Sequence, residues 1–276
     1  MSRLRRLLGV LALVVFAVEV LLFLSGVVHF GTAVGVVLAV EMSIALIVVV
    51  DIARVVRATR TSHGAEAELP VVLDDALGQF LPAPVARYVR KELMLMRAIG
   101  MLLTGRRDLR EGEVPLAYGG PLVILLALVG VLDGLAAFLL HLLLPDSVRM
   151  VALVLGILGF VWLVGFLASL ICYPHVVGHG RLRLRFSVFH DVTLPLNAVS
   201  EVRRYPSEPP SNDAARVIDG ELVMAVSGQA NLALALADAT QPVSSSPRLR
   251  RDGPITGVVC YVDDPAAARR VLSTST

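Results

Sequence analysis

Glu19, Glu41 and Asp133 each stand alone near the middle of a long apolar run. No lysine or arginine lies inside any of these runs to neutralise them. If the runs are helices, Glu19 lies 12 residues past Leu7 and Glu41 lies 12 residues before Ala53. At 1.5 Å rise per residue each is roughly 18 Å from the inner edge. Asp133, 11 residues past Leu122, falls at roughly 17 Å. An ionised carboxylate at that depth costs several kcal/mol, so each acid is protonated, faces a wet cavity or bonds a partner. One reading is a proton or cation site shared by three helices. The other is three neutral acids hydrogen-bonding across helix contacts. Asp51 differs, because it sits at the inner boundary beside Arg54 and can snorkel.

A second set of donors is Cys172-x-x-His175-x-x-x-His179, whose side chains are types that zinc accepts. They straddle a segment marked by Pro174 and Gly178, which reads as a juxtamembrane hinge with incidental histidines. Cys172 and Cys260 have no neighbour at metal-ligand or disulfide spacing and are expected as reduced thiols. A phosphate-binding glycine loop, a dinucleotide turn, a nucleophile elbow and a paired-histidine zinc helix are all missing. No nucleophile, base and orienter can be grouped, so neither an enzyme nor a cofactor or metal is expected. Trp162, deep in an apolar run, reads as a packing residue.

The elements that carry these residues are membrane spans. Leu7–Val28, Ala33–Ile52, Leu122–Leu144 and Met150–Ile171 are long apolar runs broken only by a few polar residues such as those acids, and about 20 helical residues cross a hydrocarbon core. A soluble core helix rarely stays apolar on every face for so long. Hydrophobic residues make up 56% of the chain. Arginines cluster before the first run, between the second and third, and after the fourth, whereas the short connections His29–Thr32 and Pro145–Arg149 carry one at most. Basic residues favour the cytoplasmic side. The expectation is a multi-pass plasma-membrane protein of four spans in two hairpins, with both termini cytoplasmic. The first run is longer than a secretory h-region and reads as a retained anchor. Four segments follow: a first hairpin over 1–53, a cytoplasmic linker over 54–120, a second hairpin over 121–173 and a cytoplasmic β-rich domain over 174–276. Gly31–Gly35 and Gly130–Gly134 have the small-xxx-small spacing of close helix contacts, the second bracketing Asp133.

In the linker, Leu81–Leu103 has helical periodicity. Val85, Tyr88, Val89, Leu95, Met96, Ile99 and Leu103 share a broad face, opposed by Arg87, Arg90, Lys91 and Arg97. Such a helix lies in the membrane interface with its cations among lipid phosphates, or packs on the bundle or the C-terminal domain. Glu92 interrupts the apolar face.

After Pro174 the period changes to two. Leu182, Leu184, Phe186 and Val188 alternate with Arg181, Arg183, Arg185 and Ser187, the mark of a half-buried strand. Val192–Leu196, Val199–Arg204, Glu221–Ser227, Leu232–Ala237 and Ile255–Val262 bring the count to about six strands. Asp264 is placed to cap a closing helix, with Pro265 at its first position, running to about Leu272. A small curled sheet or partial barrel closed by that helix would bury its apolar faces. Two polar loops, Pro206–Arg216 and Ala239–Pro254, interrupt it, and the second carries Arg248, Arg250 and Arg251. That cluster fits a phosphate head group or an acidic partner, or is a solvated loop.

The segments Leu182–Phe186, Asp191–Leu196 and Ala198–Val202, with Asp263-Asp264-Pro265 opening the last helix, resemble the bacterial pleckstrin-homology-like domains. The whole chain is similar in layout to four-span membrane proteins of high-GC bacteria. The resemblance implies an adaptor or a lipid- or peptide-binding module and transfers no catalytic residue. The expected function is therefore a non-enzymatic membrane anchor that presents a cytoplasmic module to a protein partner or the lipid surface, with no nucleic-acid role. The alternative is a small transport or ion-coupled protein, acting as an oligomer, that uses Glu19, Glu41 and Asp133.

Overall fold

The computed structural model describes residues 54–55, 57–58, 69–78, 81–206, 208–211, 213–244, 249 and 251–275. The first hairpin, with Glu19, Glu41, Asp51 and the Gly31–Gly35 pair, lies outside the described residues, as do Arg248 and Arg250. The four-span count is therefore seen only for its second pair. The chain divides into two compact units, Met1–Leu93 and Met94–Thr276.

In the first unit, helix α1 (Leu69–Gly78) buries Val72, Leu73, Ala76 and Leu77. Helix α2 (Ala83–Leu103) begins in this unit and ends in the next. Arg90 is buried on an ion pair with Asp74. Burial lifts the Asp74 carboxyl above its usual range despite the guanidinium. The expected face of α2 is rotated. Tyr88, Met96 and Leu103 are exposed, whereas Ala86, Arg90, Met94, Leu95, Ala98 and Met101 are buried. Alanines at 86 and 98 let neighbouring backbone approach, which a purely hydrophobic count of the helix face overlooks.

The second unit contains two apolar helices. Helix α3 (Gly120–Leu143) has Pro121 in its first turn, where the missing N–H costs nothing. Helix α4 (Asp146–Cys172) follows after Leu144-Pro145. At 24 and 27 residues both exceed the length of a hydrocarbon core. Gly130 alone is buried in α3, and Ile124, Leu128, Val131, Leu135, Phe138 and Leu142 are exposed. Large apolar surfaces of this kind suit lipid and not water. The two helices meet where a Cβ on Gly130 would lie 3.2 Å from Leu163, and where Gly156 faces Ala137. Gly134 has nothing within 4 Å, so only half of the expected small-residue seam is used.

From Gly165 the surroundings of α4 change. Gly165, Ala168, Ser169, Leu170 and Cys172 are buried. A Cβ on Gly165 would stand 3.2 Å from Leu95 and 3.5 Å from Met96 of α2. Trp162 is 41% exposed and stacks on Phe166 at the point where burial begins. The ring thus packs on the next turn of α4, within the apolar stretch Ala152–Cys172.

Among the described residues, ten strands form two five-stranded sheets. The first has the order β1-β2-β3-β4-β9, from Val114–Leu116, His175–Gly178, Arg181–Phe186, His190–Pro195 and Val243–Ser244. The second has the order β5-β8-β10-β7-β6, from Val199–Arg204, Leu232–Thr240, Ile255–Cys260, Glu221–Met224 and Arg216–Ile218. All pairs are antiparallel except β7 with β10. His179-Gly180 and Asp219-Gly220 have positive φ at both residues, the type I′ geometry that matches strand twist in two-residue hairpins. Leu182, Leu184, Val192, Leu194, Leu222, Leu232, Val258 and Leu272 form the core between the sheets and helix α5 (Pro265–Ser275). Asp264 Oδ1 accepts from the amides of Ala266 and Ala267 at 3.0 and 2.9 Å, as its position predicts. The strand expected to reach Val188 ends at Phe186, because Ser187 turns at φ 53°.

Candidate functional site

Along the arginine face of β3, Arg181 is exposed, Arg183 is half-buried and Arg185 is buried. Arg185 is only 4% exposed along its side chain and lies 3.0 Å from Asp108. Asp108 also reaches Arg97 of α2 at 3.1 Å. On its other side Arg185 stands 3.8 Å from Asp191, which takes a bidentate pair from Arg183. Arg97, Asp108, Arg185, Asp191 and Arg183 thus alternate in sign along one chain. Burial alone would raise Asp108, but Arg185 and then Arg97 hold its carboxyl below the usual range. Tyr173, the first residue past α4, sits under both Arg97 and Arg185 at 5.9 Å. It accepts from Arg97 at 3.1 Å. A guanidinium tolerates burial when its planar fork is matched by carboxylates and a ring face, which is why Arg185 departs from the alternation that Leu182, Leu184 and Arg181 follow.

Behind this chain lies a neutral network. His175 Nδ1 accepts from the Arg185 amide at 2.9 Å, so Nε2 carries the proton and donates to the Tyr261 carbonyl at 3.2 Å. Burial depresses its pKa to about 3, with the Arg185 charge adding to the effect. Tyr118 stacks on the ring at 4.3 Å, and its hydroxyl accepts from the Ser187 amide at 2.7 Å. Burial pushes the Tyr118 phenol up. The hydroxyls of Ser169 and Ser187 bond each other, tying α4 to the β3–β4 turn.

The Asp263-Asp264 pair caps two helices in succession. Asp263 accepts from the Gly120 amide at the start of α3 through both oxygens, at 3.0 and 3.2 Å. Its own amide donates to Ala117 at 2.7 Å. A carboxylate here also suits the positive end of the helix dipole. Asn231 secures the segment before it by bonding both backbone groups of Val262.

A groove of about 420 Å³ lies between β5 and α5. Ser200, Glu201 and Val202 line one side, and Ala266, Arg269, Arg270 and Ser273 line the other. Spacings of three, four and seven put these helical residues on one face, while Ala268 and Leu272 turn into the core. Among the described residues no strand pairs with the outer edge of β5, and neither Arg269 nor Arg270 meets an acid.

Of the side chains singled out in the sequence, Asp133 is exposed on α3. Arg87 is exposed, with Nε donating to the Ala83 carbonyl. Lys91 is half-buried, and burial with the neighbouring Arg90 and Arg87 charges lowers its pKa. Arg90 and Arg97 are held by the protein's own carboxylates. Arg251 is exposed. Cys172 donates to the Ala98 carbonyl and His179 bonds Glu111, so the Cys-His-His run faces three separate partners. Among the described residues no group of three His, Cys, Asp or Glu side chains is placed to hold a metal. Sequence reading missed Asp108, Asp263 and the Arg269-Arg270 pair. The doubled aspartate before Pro265 was the only signal for Asp263, and spacing alone allots one aspartate to one helix.

No protein-family model, curated protein or solved structure matches the chain.

Proposed function

We propose that the protein is a non-enzymatic, multi-pass membrane protein with cytoplasmic termini that presents its β-rich domain as an interaction module for a protein partner. The groove between β5 and α5 carries this reading, because it combines a strand edge and two guanidinium groups that have no partner among the described residues. Two apolar helices of membrane-crossing length support the anchor. The exposed arginines Arg106, Arg107 and Arg110, on the segment that precedes α3, support a cytoplasmic setting. Two sheets closed by a terminal helix favour a pleckstrin-homology-like module, from which the parallel β7–β10 pair departs.

Proximity labelling in cells tests the reading with the chain kept whole, since the inner end of α4 belongs to the domain core. Charge reversals at Arg203/Arg204, Arg216, Arg251 and Arg269/Arg270 are compared with Asp133→Asn. Loss of specific neighbours with one of the domain substitutions, at unchanged membrane insertion, is the expected result. Neighbours indifferent to every domain substitution, together with a cation- or proton-dependent activity lost in Asp133→Asn, would refute it in favour of transport.

A further inference from the structure

Resting on that reading, we infer that the groove takes an extended acidic segment of the partner, added as a further strand along β5. An antiparallel edge strand directs alternate N–H and C=O groups away from its sheet, and these match another main chain. Val199–Arg204 is such an edge, with β8 on its inner side only among the described residues. A strand added along β5 would lie beside the guanidinium groups of Arg269 and Arg270, which line the same groove. Both are exposed and meet no acid among the described residues, and bidentate capture of carboxylates is the chemistry they offer.

Glu201 sets the pattern. It is the single acid in the lining, so the incoming residue nearest to it is neutral or basic and the carboxylates face α5. Period-two alternation of acidic and uncharged residues satisfies both walls. A lipid head group would meet the arginines but leave the strand edge unused, which favours a peptide. The opposite edge of the sheet, β6, is only three residues long, and its Arg216 already pairs with Asp213 at 3.3 Å. Ser200 marks a register shift in β5 and bonds back to Ala235, which keeps the free edge from pairing indiscriminately.

The full chain in nanodiscs of zwitterionic phosphatidylcholine tests this. The probe is a fluorescent, end-blocked eight-residue peptide with glutamate at alternate positions and valine or threonine between. Saturable binding is expected, weakened about tenfold or more in Arg269→Glu/Arg270→Glu and partly in Arg269→Gln/Arg270→Gln. The same peptide with lysine for glutamate should not bind. Amide exchange should slow in residues 199–204 and stay unchanged in 216–218. Three results would overturn the assignment: equal binding by the lysine peptide, affinity indifferent to both double variants, or capture of phosphatidylserine-containing vesicles in place of the peptide. If the peptide fails while a charge reversal elsewhere on the domain removes neighbours in cells, the module stands and this ligand falls.

Discussion

Asp108→Asn is expected to loosen the end of the apolar hairpin that packs on the β-rich domain. The carboxylate bridges Arg185, 4% exposed, at 3.0 Å, and Arg97, 36% exposed, at 3.1 Å. Removing one partner of a buried pair typically costs about 3–5 kcal/mol, because the other charge is left buried. Asp108 is itself 29% exposed, so the low end applies, at about 3 kcal/mol. The Arg97 contact, open to solvent by a third, adds about 1 kcal/mol at most. Buried Cys172 and Cys260 report the opening. In nanodiscs at neutral pH their labelling by a maleimide should accelerate on the order of 100-fold in Asp108→Asn. Asp213→Asn is the control: its pair with Arg216 is about half exposed on both sides, and its loss should cost about 0.5 kcal/mol or less. Asp108→Asn with Arg185→Met should recover part of the loss, since no buried charge is then stranded. Labelling in Asp108→Asn no faster than in the Asp213 control would refute the claim that this ion chain secures the domain.

The His175 ring is neutral in the folded protein, with a pKa of about 3. As pH falls below about 6.5 the unfolded chain takes up the proton first, so stability falls by up to about 1.4 kcal/mol per unit until near pH 3. His175→Asn, which keeps an acceptor for the Arg185 amide, should flatten the dependence of melting temperature on pH between about 6.5 and 4. Asp263→Ala should cost about 1 kcal/mol and speed amide exchange at the start of α3, while Asp264→Ala should do the same for α5 only. Gly178→Ala would place a Cβ 3.0 Å from Glu113 on the β1 side and should lower the melting point. Gly100→Ala, with open space in mid-helix, should raise stability by about 0.5–1 kcal/mol.

What the sequence made legible was set by long-range apolarity and by local caps. The second hairpin reads directly, because α3 and α4 are apolar on every face. Strand β5 matches its expected bounds, and Asp264 caps the closing helix because capping is a contact between near neighbours in the chain. Strands β1, β2, β6 and β9 escaped notice at two to four residues each, being too short to establish a period. The burial of Arg185 in β3 and of Arg90 in α2 was missed for a common reason. Hydropathy assigns arginine to water unless the partner acid is known. Asp108 is 77 residues from Arg185, so nothing local announces the pair.

The groove was illegible for a different reason. Arg269 and Arg270 in an Ala-rich helix look like an ordinary solvated face, and Glu201 looks like one charge among several in a polar strand. Their meaning comes from β5 being the last strand of its sheet, which depends on β8 and β10 pairing elsewhere. The same folding that leaves this edge open also fixes its distance from the apolar helices. Asp263 holds the start of α3 and is continuous with Asp264, which caps α5 and so aims the groove's arginine wall. Ser169 and Tyr173 tie the end of α4 to β3 and to the ion chain. A tether would let a module swing freely. Here the last two turns of α4 lie in the domain's own packing, so the apolar hairpin and the β-rich domain are joined by packed side chains and not by a linker.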